Sequence, residues 1–286
     1  MSPANPFDLT GRRAMVTGAN TGIGRATAQD LARRGGRVIM ANRSQGKTEP
    51  VIREIASETG NKEIEFLPLD LANLSSVQRA VATLVERDET IDVLIANAGL
   101  AGHQGVTAQG FELAFGTNHL GHFLFVTELS DLVRRSDDGR VVIVASDSHA
   151  TPKGIDFDLV QQKTRTTTGM REYGVSKLGN VLFAQELARR EPEHGLLIRS
   201  LHPGVIASDV WRRVPWPVRP IMKRFMKSVD EGAQTSIHCA TAADVGGANG
   251  CYMVDSAPHE TSPVATPELA AELWRRSEEW VAPYRR

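Results

Sequence analysis

A tyrosine and a lysine four residues apart give this chain of 286 residues its clearest chemical signal, in the run Tyr173-Gly174-Val175-Ser176-Lys177. On a helix, residues at this spacing lie on one face, so the ammonium group can lie beneath the phenol. A free tyrosine titrates near ~10, but a neighbouring cation favours the phenolate. The pair therefore predicts a proton-transferring tyrosine, although two residues on a helix surface also fall at this spacing by chance.

A glycine-rich turn near the N-terminus predicts a nucleotide site. Gly18, Gly22 and Gly24 follow the apolar run Arg13–Thr17 and precede a helical pattern. Glycine lets the backbone approach a pyrophosphate, and the helix N-terminus offers unpaired N–H groups to the anion. A glycine turn without a ligand is the alternative, but the context of strand, turn and helix favours the cofactor.

The elements that must position these residues alternate regularly along the chain. Apolar runs predict strands at residues 13–17, 37–41, 64–69, 93–96, 141–145, 196–201 and 251–254. Helical patterns follow the first five strands, at residues 26–32, 45–58, 77–85, 111–129 and 173–190, and a further helix is expected at the C-terminus. Short apolar strands alternating with longer helices indicate a parallel sheet covered on both faces. We therefore expect an α/β fold: one doubly wound, Rossmann-type domain with a mostly seven-stranded parallel sheet, without an interdomain linker.

Composition limits the function classes. Charged residues make up 23% of the chain and the net charge is −1, so nothing suggests capture of nucleic acid. The two cysteines and the eight histidines lack metal-ligand spacing, so we expect no metal site. Residues 1–10 lack signal-peptide features, and no apolar stretch approaches the ~18 residues that span a bilayer. We expect a cytoplasmic protein, and a homo-oligomer is possible.

The glycine spacing Gly-x-x-x-Gly-x-Gly, together with Tyr173 and Lys177, resembles the short-chain dehydrogenase/reductase family. The resemblance covers nearly the whole chain and implies a nicotinamide dinucleotide as cofactor. It implies cofactor contacts from the glycine turn, from the ends of the third and fourth strands and from a Pro-Gly loop. These residues are Gly18, Asn20, Thr21, Gly22, Ile23, Gly24, Asp70, Leu71, Asn97, Ala98, Gly99, Pro203, Gly204, Val205 and Ser208.

The end of the second strand predicts which dinucleotide binds. An NAD site places a carboxylate there, whereas this chain has Asn42 followed by Arg43. A neutral amide and a guanidinium can accommodate the 2′-phosphate of NADP(H), which an acid would repel. We therefore expect a preference for NADP(H), with NAD(H) possible; a solvated surface charge is the alternative interpretation of Arg43.

The same resemblance implies a catalytic set of Asn118, Ser146, Tyr173 and Lys177. Tyr173 would exchange a proton and Ser146 would hold the substrate oxygen, with Ser148 as a rival serine. Lys177 would lower the pKa of the tyrosine and bind the ribose, while Asn118 would link that lysine to a water molecule. The implied reaction is hydride transfer between nicotinamide and a carbonyl or alcohol. Reduction of a carbon–carbon double bond, or a catalytically silent NADP(H)-binding regulator, are the rival functions.

The motifs around Asn118 and His202-Pro203-Gly204-Val205 are similar to the retinol-dehydrogenase branch, which also includes the WW-domain oxidoreductase. The 27-residue separation of Ser146 and Tyr173 agrees with that branch. The branch implies a small apolar alcohol, aldehyde or ketone as substrate. Residues 10–145 would form the cofactor half and residues 146–286 the catalytic half. Residues 205–228, basic and aromatic, would form a lid over the substrate, a membrane-contacting surface or a guide for an acidic substrate.

Overall fold

The chain folds into one Rossmann-like α/β domain around an eight-stranded sheet, seen here in a computed structural model that describes residues 8–191, 195–204 and 228–286. The strands are β1 (Arg13–Thr17), β2 (Arg37–Asn42), β3 (Ile64–Pro68), β4 (Val93–Ala96), β5 (Arg140–Val144), β6 (Leu197–His202), β7 (Tyr252–Val254) and β8 (Ala257–His259). Their spatial order is β3-β2-β1-β4-β5-β6-β7-β8. The order reverses between β1 and β4, where sheets of this kind bind ligands at the carboxyl ends of their strands.

Helices cover both faces of the sheet. They are α1 (Gly22–Arg33), α2 (Gln45–Thr59), α3 (Leu74–Arg87), the single turn α4 (Leu113–Phe115), α5 (Gly121–Arg134), α6 (Met170–Arg190), α7 (Val229–Thr241) and α8 (Pro267–Val281). A π-helical turn, Gly116–Leu120, joins α4 to α5. The expected continuous helix over residues 111–129 is therefore interrupted at the position of Asn118.

The sheet separates two apolar layers. Met15 and Val16, adjacent in β1, belong to different core clusters because successive strand residues point to opposite faces. One layer includes buried residues of α3, α5 and α6, and the other those of α1, α2 and α7. Strands covered on both faces read as continuous apolar runs, which is why the sequence located β1, β4 and β5 to within a residue.

The C-terminal helix α8 covers α5 and α6 from outside. The Trp274 ring lies 5.0 Å from that of Phe123 on α5 and 5.8 Å from that of Phe183 on α6. Trp280 packs on Phe111 and Phe115, just before the π-helical turn. The aromatic cluster holds the turn from the side that faces away from the sheet.

Two elements differ from the sequence expectation of a seven-stranded sheet and a lid extending to residue 228. Seven strands are parallel as expected, but β8 adds an eighth that pairs antiparallel with β7 through a two-residue turn. Residues 205–227 of the expected lid lie outside the described residues. Ser228 belongs instead to the start of α7, which the sequence analysis did not predict; its side chain forms a capping box with Glu231. No helix within the described ranges is both long and apolar enough to cross a bilayer.

Candidate active site

Ser146 and Tyr173 meet at the carboxyl edge of the sheet. Ser146 directly follows β5 and begins the 3-10 turn Asp147–Ala150, where its Oγ accepts a hydrogen bond from the Ser148 amide at 3.2 Å. Its hydroxyl also lies beside the phenol of Tyr173, in the first turn of α6, where it lowers the pKa of that phenol. The structure therefore places Ser146 next to Tyr173, and the backbone amide of Ser148 orients the Ser146 side chain.

Lys177 lies one helical turn below Tyr173 and is buried, at 3% exposure. Its Nζ donates a hydrogen bond to the Val144 carbonyl at 2.8 Å and lies 5.7 Å from the centre of the Tyr173 ring. Burial lowers the pKa of Lys177 to about 8, because a charge is costly away from water. The lysine is thus a partly desolvated cation beneath the phenol ring.

The expected lowering of the tyrosine pKa by Lys177 is wrong for this arrangement. Burial raises the pKa of Tyr173 above its ordinary value, and the hydrogen bond to Ser146 offsets part of that rise. The physical reason is that desolvation of the phenolate dominates, while the ammonium faces the ring and hydrogen-bonds the Val144 carbonyl. A raised pKa keeps the phenol in its protonated form.

The side chain of Asn118, which lies in the π-helical turn, hydrogen-bonds two neighbouring segments of the chain. Its Oδ1 accepts from the Leu100 amide at 2.9 Å, and its Nδ2 donates to the Leu100 carbonyl at 3.0 Å. The same Nδ2 lies 2.9 Å from Ser176 Oγ, which in turn donates to the Tyr173 carbonyl at 2.7 Å. Single-turn π-helical insertions are frequent at functional sites. This one connects the Leu100 loop to the backbone of Tyr173.

The glycine turn fits closely against the turn after β4. Gly18 has φ +66° and packs on Ala98; a Cβ on Gly18 would lie 2.9 Å from Ala98 Cα. A Cβ on Gly24 would lie 2.4 Å from both Asn97 Nδ2 and the Gly18 carbonyl. Thr21 is the N-cap of α1 but makes no side-chain cap hydrogen bond. The turn is therefore compact, and its main chain rather than its side chains lines the helix N-terminus.

The end of β2 carries a buried amide beside an exposed cation. Asn42 is buried, at 4% exposure, and both polar atoms of its side chain lack a hydrogen-bond partner among the described residues. Arg43 is exposed, and its side chain forms no ion pair with any residue that the structure describes. Buried polar groups are normally paired, so an orphaned amide indicates a ligand position. Both residues lie where the sequence predicted the 2′-phosphate of NADP(H).

The remaining expected cofactor residues have different surroundings. Asp70 Oδ1 accepts from the Ala72 amide at 3.1 Å, whereas the side chain of Leu71 is buried in the core. A Cβ on Gly99 would lie 3.4 Å from both Lys177 Nζ and Asn118 Oδ1, so that glycine adjoins the catalytic set. Asn20, Gly22 and Ile23 lie in the partly exposed turn before and into α1, and Pro203 and Gly204 follow β6. Val205 and Ser208 lie outside the described residues.

The structure adds polar groups beside Ser146 that the sequence analysis did not single out. Asp147 Oδ2 is 3.1 Å from His202 Nε2, and its Oδ1 accepts from the Tyr252 hydroxyl at 3.0 Å. His149 Nδ1 is 2.8 Å from the Ser146 carbonyl. The motif His202-Pro203-Gly204 predicted only a loop. The contacts among Asp147, His202 and Tyr252 join residues far apart in the sequence, so local spacing does not reveal them. No cluster of three or more potential metal ligands occurs in the described part of the chain.

The comparisons with known proteins agree with this geometry. The family model for short chain dehydrogenases matches residues 12–156, and the chain belongs to the short-chain dehydrogenase/reductase family. Its relatives place it in the retinol-dehydrogenase-like branch. It is an oxidoreductase acting on alcohol or carbonyl groups.

Two relatives and two solved structures illustrate the match. Human retinol dehydrogenase 13 is 37% identical over 94% of this chain and 84% of its own length. Chicken WW domain-containing oxidoreductase is 37% identical over 95% and 68%, respectively. A solved protein from Mycobacterium Paratuberculosis has a TM-score of 0.76 at 30% identity, covering 98% of this chain and 96% of that one. The RhlG/NADP complex of Pseudomonas aeruginosa has a TM-score of 0.67 at 24% identity, covering 85% and 93%, which reflects a shared fold.

Proposed function

We propose that this protein is an NADP(H)-preferring oxidoreductase that transfers hydride between nicotinamide and the carbonyl or alcohol of a small apolar substrate. The observation that carries the proposal is the contact of Ser146 with the Tyr173 phenol above the buried Lys177 ammonium. These groups lie at the same edge of the sheet as the glycine turn, so one bound dinucleotide can reach both. When bound, the nicotinamide supplies or accepts the hydride.

The residues present fit such a cofactor. Gly18 and Gly24 let the glycine turn pack closely on the segment after β4, and Gly22 has φ +53° with open space where a Cβ would lie. The start of α1 carries no acidic residue in its first turn. Asn42 and Arg43 would hold the adenosine end, and Asn97, Gly99 and Lys177 the ribose and nicotinamide end. A neutral amide and an unpaired guanidinium favour a phosphate over a ribose hydroxyl at the end of β2.

The catalytic set assigns one task to each side chain. The Ser146 hydroxyl holds the substrate oxygen beside the Tyr173 Oη, which donates the proton in reduction and accepts it in oxidation. Lys177 lies beneath the phenol ring, and its ammonium would bind the ribose of the cofactor. Asn118 fixes the Leu100 loop and Ser176, which keeps Lys177 and Tyr173 in place. The names of the retinol dehydrogenases support an apolar alcohol or aldehyde as the substrate class.

The experiment is a screen of alcohols, aldehydes and ketones with NADP(H) and NAD(H), followed at the absorbance of the reduced nicotinamide. We expect turnover of apolar carbonyl compounds with NADPH and slower turnover with NADH. Product analysis separates carbonyl reduction from double-bond reduction. Tighter binding of NADH than of NADPH would contradict the cofactor assignment, and binding of NADPH without any turnover would favour the silent regulator.

A further inference from the structure

His122 lies between the end of β1 and Asn118 and has no role in the proposed chemistry. It is fully buried, one helical turn after Asn118 at the start of α5. Its Nδ1 is 2.9 Å from the Asn118 carbonyl, and its Nε2 is 2.8 Å from Thr17 Oγ1 at the end of β1. The imidazole thus spans the distance between the strand that begins the glycine turn and the π-helical turn that carries Asn118.

The partners of the imidazole define where its proton lies. The Asn118 carbonyl can only accept a hydrogen bond, so Nδ1 carries the proton and donates it. The Thr17 hydroxyl already accepts from the Asn97 and Ala98 amides, both at 2.9 Å. Its own proton is therefore free to be donated to Nε2 at 2.8 Å, in preference to the Ile95 carbonyl at 3.5 Å. Burial and the nearby Lys177 keep the imidazole neutral, with a pKa lowered to about 4.

These hydrogen bonds form a chain with one direction. It begins at the Asn97 and Ala98 amides, passes through the Thr17 hydroxyl and His122, and ends at the Asn118 carbonyl. The side chain of Asn118 makes a separate link, because its Nδ2 donates to Ser176 Oγ, which in turn donates to the Tyr173 carbonyl. His122 therefore joins the turn after β4 to the residue whose side chain holds the backbone of Tyr173.

We infer that His122 is a positioning residue that holds the Asn97–Ala98 turn and the Asn118 segment in a fixed relation. The two hydrogen bonds of His122 form a bridge between Thr17 and Asn118. Its Thr17 end positions the turn that would flank the cofactor, and its Asn118 end positions the side chain that hydrogen-bonds Leu100 and Ser176. The inference rests on the proposed function, because it assigns to His122 a part in cofactor binding and in turnover.

Two substitutions separate the two ends of the bridge. In His122→Asn, the amide group occupies the place of Nδ1 and retains the donor to the Asn118 carbonyl, but nothing reaches Thr17. In His122→Gln, the amide oxygen occupies the place of Nε2 and retains the acceptor for Thr17, but the bond to Asn118 is lost. His122→Phe removes both ends. The matched control is His119→Phe, because His119 is a buried imidazole in the same segment whose Nε2 lies 3.0 Å from Ser277 of α8.

The readouts are the dissociation constant of NADPH and the kcat for a substrate from the screen. We expect His122→Phe to weaken NADPH binding and lower kcat, each on the order of tenfold, as for loss of a buried hydrogen bond. His122→Asn should restore kcat but not NADPH affinity, and His122→Gln should restore affinity but not kcat. His119→Phe should change both by less than about twofold while lowering thermal stability.

Several results would overturn the inference. One is wild-type affinity and kcat in His122→Phe; another is equal loss of kcat in His119→Phe, which would indicate general loosening of the segment. A third is that His122→Asn and His122→Gln behave alike. If His122→Phe does not fold, the Asn and Gln variants decide, since each keeps one hydrogen bond. Failure of the wild-type protein to bind either dinucleotide would instead contradict the proposed function.

Discussion

The nucleotide edge and the catalytic cluster of this protein are built by different means. At the nucleotide edge, the main chain of the glycine turn packs on the turn after β4, with Gly18 against Ala98 and Gly24 against the side chain of Asn97. In the catalytic cluster, side chains from distant elements hold one another through hydrogen bonds, as Ser146 does with Tyr173 and Asn118 with Ser176. The first arrangement depends on glycines that leave no room for a Cβ, whereas the second depends on single polar atoms.

Removing one hydroxyl group from the proposed catalytic cluster should have the largest effect on turnover. Tyr173→Phe deletes only the hydroxyl that Ser146 contacts, so the fold and NADPH affinity should survive. Turnover should fall by roughly 10²-fold or more, which is the range for positioned proton transfer. Steady-state kinetics and a cofactor titration measure both quantities. Turnover close to that of wild type would mean that another group moves the proton.

Lowering the pH should test the two buried histidines of the segment that carries Asn118. Burial lowers the pKa of His119 to about 3 and of His122 to about 4, below the value near ~6.5 for an unfolded chain. The unfolded state therefore binds more protons between these values, and stability is lost as the pH falls below ~6.5. At pH 5 the loss is roughly 2 kcal/mol for each histidine.

Urea unfolding at pH 7 and pH 5 measures this loss of stability. In His119→Gln the difference between the two pH values should shrink by roughly 2 kcal/mol, because one titrating site is gone. An unchanged difference would show that His119 is not neutral in the folded protein.

At the end of β2 the proposed nucleotide edge uses side chains, so substitutions there should change the cofactor preference. Exchanging Asn42→Asp together with Arg43→Leu adds a carboxylate and removes the unpaired cation. Preference should shift from NADPH toward NADH by on the order of tenfold or more, since a charge-assisted contact contributes roughly 1.5–3 kcal/mol. The ratio of kcat/KM for the two cofactors measures the shift. A constant ratio would mark Arg43 as a solvated surface charge.

The smallest expected change in kcat comes from substituting Ser148, and it distinguishes the two serines after β5. Ser148 orients Ser146 through its backbone amide, which a side-chain substitution leaves in place. Ser148→Ala should therefore change kcat by less than about twofold, while Ser146→Ala should lower it by roughly 10²-fold. A larger loss in Ser148→Ala than in Ser146→Ala would reverse the assignment of the two residues.

The same contrast explains how much the sequence could predict. The seven parallel strands and the glycine turn are local patterns, and their positions were predicted to within one or two residues. The π-helical turn and the bridge made by His122 depend on contacts between distant elements, although the spacing of four between Asn118 and His122 was a usable signal. The capping box of Ser228 and Glu231 was readable as the start of α7. The turn before β8 lacked the usual glycine: Asp255 and Ser256 adopt φ of +50° and +63°.

The eighth strand has a consequence for how the molecule behaves in a crowded solution. An exposed sheet edge is a template for pairing with other chains and hence for aggregation. Here β8 and β3 are the two edges, and each contains a proline, Pro258 and Pro68. Pro258 pairs with Met253 in the middle of the three-residue strand β8, so it has no amide hydrogen to offer outward. The hairpin thus ends the sheet with a strand that a neighbouring chain cannot readily extend.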